Sequence, residues 1–459
     1  MSSAIVERHE TIRALLRALR TKRFLILAGL SGTGKTQLAR RIARSAVAID
    51  QQQGTGRGLE LIEQSLDSAA AGEDSFLFEQ VPGHPDYIRV LEVGSGSQRA
   101  RATTIHKRRV GFLPVRPDWT DAKKVWGYYN PLTGRFYPTE ALVVLLNAYR
   151  DYLENGEGAG NYFLILDEMN LARVEYYFSD LLSLMESGCS EDPDVPGRIQ
   201  TGETARVHPL DTMIVSTGIR GVHDERSVAE AQAAFSNVDT GGKRVMSAAR
   251  TGTVEQMVPL REMDDRRWLY EALVKGLEFV DRPQKELSEL DEKRHALPLL
   301  YPIPPRVAYP PNLTIIGTIN VDETTHAFSP KVLDRAFVMQ FANVCYEAAL
   351  GGHPLYGELS TLLSELHTAM APGQHHFGYR VATEMLDYVG QAGGKLTPLI
   401  GDFLMMSKVL PKLRGTEGQL RTLLERLCAL AKKEGFANSE QKLTIMLQQL
   451  SDSGFTSFF

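Results

Sequence analysis

Cysteine is scarce in this chain: Cys189, Cys345 and Cys428 are far apart and odd in number. That excludes a disulfide framework, and the lack of a CxxC pair argues against a cysteine-based zinc site, so a reducing compartment is expected. Long apolar runs are missing too. No stretch approaches the ~18 apolar residues of a membrane-spanning helix, and the opening MSSAIVERHE has no apolar signal core. The expectation is a cytoplasmic protein with no membrane partner. Charge of one sign is also lacking. Lys and Arg number 51 against 56 Asp and Glu, a net charge of −5, which gives no chain-wide attraction to nucleic acid or lipid. Internal repeats and long low-complexity tracts are absent. What remains, 459 residues at 43% hydrophobic and 23% charged, has the make-up of a globular protein large enough for two or more domains.

Periodicity divides the chain into an α/β part and a helical part. ERHETIRALLRALRTKR places Ile12, Leu15, Leu16 and Leu19 on one helical face. FLILAGL reads as a buried strand, SGTGKT as a glycine-rich turn and QLARRIARSAV as a helix. GTGRG and GSGSQRARATTIHKRR read as loop. Their basic cluster (Arg99, Arg101, Lys107, Arg108, Arg109) is better taken as a solvated face than as a nucleic-acid contact. ALVVLLNAYRDYL predicts an amphipathic helix, FLIL a strand and RVEYYFSDLLSLMES a helix. From about Glu203 to Leu300 the chain turns polar and charge-rich. TMIVSTG has strand character, whereas SVAEAQAAF, RRWLYEALVKGLEFV and QKELSELDEKRHAL predict helices of an inserted arm, expected to dock a partner or substrate. The prolines of YPIPPRVAYPPN exclude regular structure there. LTIIGTIN resumes the buried strands, and helical segments follow from Tyr346. The expected organisation is an α/β domain over 1–345, with a helical insertion at about 203–300, and an all-helical domain over 346–459.

Three strand ends carry the chemistry. GLSGTGKT, Gly29 to Thr36, fits the phosphate-loop pattern GxxxxGK[ST] in full. Such a loop closes backbone N–H groups around a phosphate at a helix N-terminus, with the lysine on the terminal phosphates and the hydroxyl on Mg²⁺. The expected nucleotide-binding residues are Gly29, Ser31, Gly32, Thr33, Gly34, Lys35, Thr36 and Gln37. A glycine-rich turn that binds nothing is the alternative; the flanking strand and helix weigh against it. In FLILDEMN the pair Asp167–Glu168 ends a buried strand, a costly place for unpaired carboxylates. With the loop upstream, Asp167 is expected to join Thr36 in holding Mg²⁺, and Glu168 to polarise the attacking water. Asn320 ends a third buried strand, and the carboxyl ends of neighbouring strands in an open α/β sheet converge on one crevice.

This arrangement resembles the AAA+ ATPase superfamily, with a parallel α/β core and a helical lid. LDEMNLARVEYYFSDLLSLME is similar to the extended Walker B segment of McrB-type and MoxR-type proteins. VRPDWTDAKKVWGYYNPLTGRFYPTEAL resembles the McrB segment between Walker A and Walker B, and FGYRVATEMLDYV, KVLPKLRG and SGFTSFF resemble the lids of that group. The resemblance implies that Asn320 is sensor 1, that Arg335 in SPKVLDRAF is a finger reaching a neighbouring subunit's γ-phosphate, and that Arg380 in FGYR is sensor 2. A local ion pair at Arg335 and an ordinary helix start at Arg380 are the plain alternatives. The resemblance further implies a homo-oligomeric ring, expected to be a hexamer, that hydrolyses GTP or ATP with Mg²⁺. McrB-type proteins carry MNTADRS at sensor 1 where this chain has INVDETT, so the base is not inherited from the likeness. The expected role is the motor of a restriction or phage-defence complex, with a separate nuclease subunit and DNA reached through that partner or the ring pore. A MoxR-like chaperone acting on a protein target is the alternative. Asp291–Lys293 has the letters of a nuclease motif without its strand and is not read as one. His375 and His376 are taken as surface or packing residues, and Trp119, Trp126, Tyr128 and Tyr129 as aromatic packing more than as base-stacking groups.

Overall fold

The computed structural model describes residues 3–68, 78–80, 87–92, 99–104, 109–132, 135–191, 199–201, 203–209, 213–217, 247–250, 253–256, 300–304, 306–321, 326–341, 344–373 and 375–459. Lys107, Arg108, Asp291–Lys293, the four residues after Val321 in INVDETT, and the three helical segments expected in the insertion lie outside them.

Five parallel strands form the central sheet: β1 (Phe24–Gly29), β2 (Val110–Pro114), β3 (Tyr162–Asp167), β4 (Leu313–Asn320) and β5 (Phe337–Phe341), in the order β5-β1-β4-β3-β2. Helices cover both faces, which is why β1 and β3 are nearly unbroken apolar runs instead of alternating ones. Alternate residues still part company. Leu25, Leu27, Phe163, Ile165 and Ile316 pack against α1 (Ser3–Thr21), α2 (Lys35–Gln53) and α3 (Gly58–Ser68). Phe24, Ile26, Leu164, Leu166 and Ile315 pack on the other face with α4 (Glu140–Asn155) and α5 (Ser179–Ser187). The α4 stretch expected to be amphipathic is buried all round from Ala141 to Tyr149. The sheet covers one side, and Trp126 and Phe136 belong to the same apolar cluster.

Three further expectations change. Arg99–Thr104, read as loop, is a strand paired antiparallel with Tyr87–Glu92. Within the insertion, the described residues form a four-stranded antiparallel sheet, in the order Ser247–Arg250, Thr253–Gln256, Met213–Thr217, Leu300–Ile303. The strand expected in TMIVSTG is there; its partners are too short and polar to announce themselves. Pro302 lies inside one of these strands, opposite Val215. Leu300–Ile303 is the sheet's edge, where a missing N–H leaves no ladder bond unmade.

From Val344 to Leu450 the chain builds its own apolar cluster around α6 (Tyr356–Met370), α7 (Tyr379–Gln391), α8 (Glu417–Glu434) and α9 (Ala437–Ser453). His376 is buried there, its ring 5.0 Å from that of His367, so it packs and is not a surface residue. Among the described residues no helix is long and apolar enough to cross a membrane.

One carboxylate organises this helical unit. Asp402 accepts from Asn438 N at 2.9 Å, Asn438 Nδ2 at 2.8 Å, Ser439 N at 2.8 Å and Ser439 Oγ at 2.5 Å. It thereby caps the start of α9 from a neighbouring segment and meets the positive end of that helix. Burial pushes its carboxyl up, but the hydrogen bonds from Ser439 and Asn438 outweigh it, and the group titrates below the ordinary aspartate value. Its contribution is therefore complete above about pH 4 and is lost as the pH falls below that value. Asp402→Ala is expected to destabilise the unit by about 2–4 kcal/mol. Thermal unfolding at pH 7 measures this, and between pH 5 and 3 the variant should lose less stability than the parent.

Candidate functional site

The loop between β1 and α2 depends on two left-handed glycines. Gly32 has φ 78° and Gly34, at the helix N-cap, φ 87°, a region that glycine enters without a Cβ penalty. The turn delivers the chain straight into a 19-residue helix, so the first N–H groups of α2 face the loop and its dipole places positive charge there. Thr33 Oγ1 closes the loop by donating to Leu30 O at 2.9 Å. Lys35 is 4% exposed, and its Nζ donates to Gly29 O at 2.9 Å and Leu30 O at 2.5 Å. Gly29 itself is crowded: an added Cβ would stand 2.4 Å from Phe341 O. Gln37 is exposed on the first turn.

Sheet register brings the other strand ends to this loop. Gly29 lies beside Asn320, and Gly317 beside Leu166. Thr36 Oγ1 donates to Asp167 Oδ1 at 2.6 Å, and Thr318 Oγ1 donates to the same oxygen at 2.7 Å. Thr318 Oγ1 also accepts from Glu168 N at 3.1 Å. Glu168, at φ 53°, is the one non-glycine residue with positive φ among those described. Such a conformation costs on the order of 1–3 kcal/mol and is retained where surroundings over-determine it. Its surroundings do so here: the bond from Glu168 N to Thr318 fixes the backbone, and Asn320 Nδ2 donates to Glu168 Oε1 at 3.0 Å. Asn170 Nδ2 in turn donates to Asn320 O at 3.1 Å. The result is a half-buried carboxylate pair beside the glycine-rich loop, with one carboxylate on hydroxyls and the other aimed by an amide.

Arg380 reaches the same place from the helical unit. Its Nη2 donates to Ser31 Oγ at 3.1 Å, and its backbone N to Gly32 O at 3.4 Å. Of the expected site residues, Arg335 alone is elsewhere. It precedes β5, and with Lys22 and Phe24 it lines a cavity at the amino end of β1. The six residues of β1 put the phosphate loop about 17 Å away, at ~3.3 Å per residue. The aromatic residues divide as well. Trp119 and Trp126 are buried, Trp119 edge-on to Tyr177, and Tyr129 packs on the core. Tyr128 instead is exposed and stacks on Tyr137 across a hairpin.

Thr318 and Asn170 were not expected at the site. The available signal was alternation: in GTIN, Thr318 and Asn320 are two apart and point the same way.

Residues 338–455 match the model of a family described as a domain of unknown function (DUF8727). No curated protein matches the chain. The matched segment includes Arg380 and stops short of the phosphate loop, Asp167, Glu168 and Asn320.

Thr318→Val keeps the shape but leaves Glu168 N without its acceptor. A loss of about 1–3 kcal/mol is expected, with Thr318→Ser restoring most of it; chemical denaturation of the three proteins measures both.

Proposed function

We propose that this chain is an AAA+ nucleoside triphosphatase of McrB-like type, the NTP-hydrolysing motor of a ring-shaped assembly. The observation that carries the reading is the convergence of Thr36, Asp167, Thr318, Glu168 and Asn320 on one glycine-rich loop. A hydroxyl and a carboxylate oxygen 2.6 Å apart are hard donors, and Mg²⁺ is held by one or two such groups with water and phosphate oxygens completing its shell. The donor set therefore fits Mg²⁺, with Thr36 and Asp167 as the residues that would hold it. When bound, the ion neutralises charge on the transferring phosphoryl group. The chain's own residues supply the rest. Loop N–H groups and Lys35 bind the phosphates, Glu168 orients and deprotonates water, and Asn320 holds the Glu168 carboxylate in place. Arg380 brings a cation to the loop from the same chain.

On this reading Arg335 acts on a nucleotide in the next protomer, since its own loop lies at the other end of the sheet. The partner nuclease and DNA belong to the same proposal, on the strength of the McrB-like segments.

Two measurements test it. Lys35→Ala is expected to abolish binding of Mg–GTP and Mg–ATP, while Glu168→Gln binds normally and turns over at least about 100-fold more slowly; near-parental turnover in Glu168→Gln sinks the assignment. The base is decided by titration calorimetry of GTP against ATP, with GTP expected to bind more tightly because WTDAKKVWGYYNP and the FGYR segment follow the McrB pattern.

A further inference from the structure

Arg335 is held from two sides. Its Nη1 donates to Lys331 O at 2.6 Å, and its Nη2 pairs with the Glu186 carboxylate. Lys331 belongs to the short helix Pro330–Leu333 that leads into Arg335, and Ser329 N anchors that helix by donating to Glu175 Oε1 at 2.9 Å. Glu186 comes from the last turn of α5, downstream of Asp167 and Glu168. The Arg335 side chain is 20% exposed, with Nε buried and lacking a hydrogen-bond partner. It lines a cavity of about 730 Å³ together with Lys22, Phe24, Glu186 and Lys331.

We propose that Glu186 is a positioning residue for Arg335: it sets the plane and direction of the guanidinium that is presented to the neighbouring protomer's phosphates. The inference rests on the reading of Arg335 as a group acting in trans. An arginine side chain has many rotamers, and a group that must meet a phosphate on another molecule gains rate when its geometry is set beforehand. The partner's exposure decides between a guide and a lock. The Glu186 side chain is 61% exposed, so its carboxylate keeps most of its hydration and the pair adds little net attraction. A triphosphate carries more charge and can take the guanidinium over. Glu186 therefore orients without withholding.

The test is steady-state turnover of the assembled protein with Mg²⁺ and whichever of GTP or ATP binds better. Arg335→Ala is expected to lower kcat by at least about 100-fold. Glu186→Ala is expected to lower kcat about tenfold with KM unchanged within twofold, because each protomer's own binding loop is intact. Glu186→Gln, which keeps the oxygen acceptor and the length, should recover most of the loss. In the double variant, Glu186→Ala should add nothing to Arg335→Ala, the mark of two residues acting as one unit. The thermal midpoint of Glu186→Ala should stay near the parental value, since the Glu186 side chain is largely at the surface. Parental or faster kcat in Glu186→Ala beside a slow Arg335→Ala overturns the positioning role alone, as does a further tenfold loss in the double variant. Normal turnover in Arg335→Ala overturns the trans-acting reading on which it rests.

Discussion

A single oxygen, Oδ1 of Asp167, accepts the hydroxyl of Thr36 from α2 and that of Thr318 from β4. Parallel strands are joined by long crossovers, so nothing local fixes one strand end against another. Register does it along the strands, and these two bonds do it where the strands stop. The loop cannot shift without moving Thr36 off Asp167. Thr318 cannot shift without releasing Glu168 N, and with it the unusual backbone that turns the Glu168 carboxylate toward Asn320. Charge is what makes the arrangement tight, because a carboxylate is a stronger acceptor than a neutral oxygen.

Much of this was legible in the residues themselves. FLILAG, YFLILD and LTIIGTIN read as strands because both sheet faces are covered, and burial on two sides leaves no polar positions to blur the run. GLSGTGKT was legible because the spacing of its glycines, lysine and threonine follows from the geometry of the turn. Glu168 stood out as a charge, but its left-handed backbone did not. That conformation is imposed by Thr318, a residue 150 positions away. The burial of α4 on all sides and the edge position of Pro302 were equally hidden, since both are set by what packs alongside. The short strands between residues 213 and 303 pair mainly with one another, and strands of four or five residues carry too few positions to show a period.

The two arginines show what sheet polarity does with one residue type. Arg380 meets the loop at the carboxyl ends of the strands, while Arg335 sits at the amino end, separated by the length of β1. A β-strand is a rigid spacer, so Arg335 stays at the far end of the sheet from the glycine-rich loop whatever the surface loops do. The fold thus sets one guanidinium at its own loop and the other at the opposite end of the sheet, paired with the exposed Glu186 carboxylate.

Gly32 and Gly378 meet backbone to backbone: a Cβ on Gly378 would stand 2.3 Å from Gly32 C, and one on Gly32 would stand 3.2 Å from Arg380 Cβ. No side chain stands between the Gly378 and Gly32 backbones. Such a joint has almost no slack, so the two parts behave as gears in mesh. Any turn of the helical unit about this joint would have to carry the Gly32 peptide with it. A methyl group added at Gly378 would have no room unless the two backbones parted.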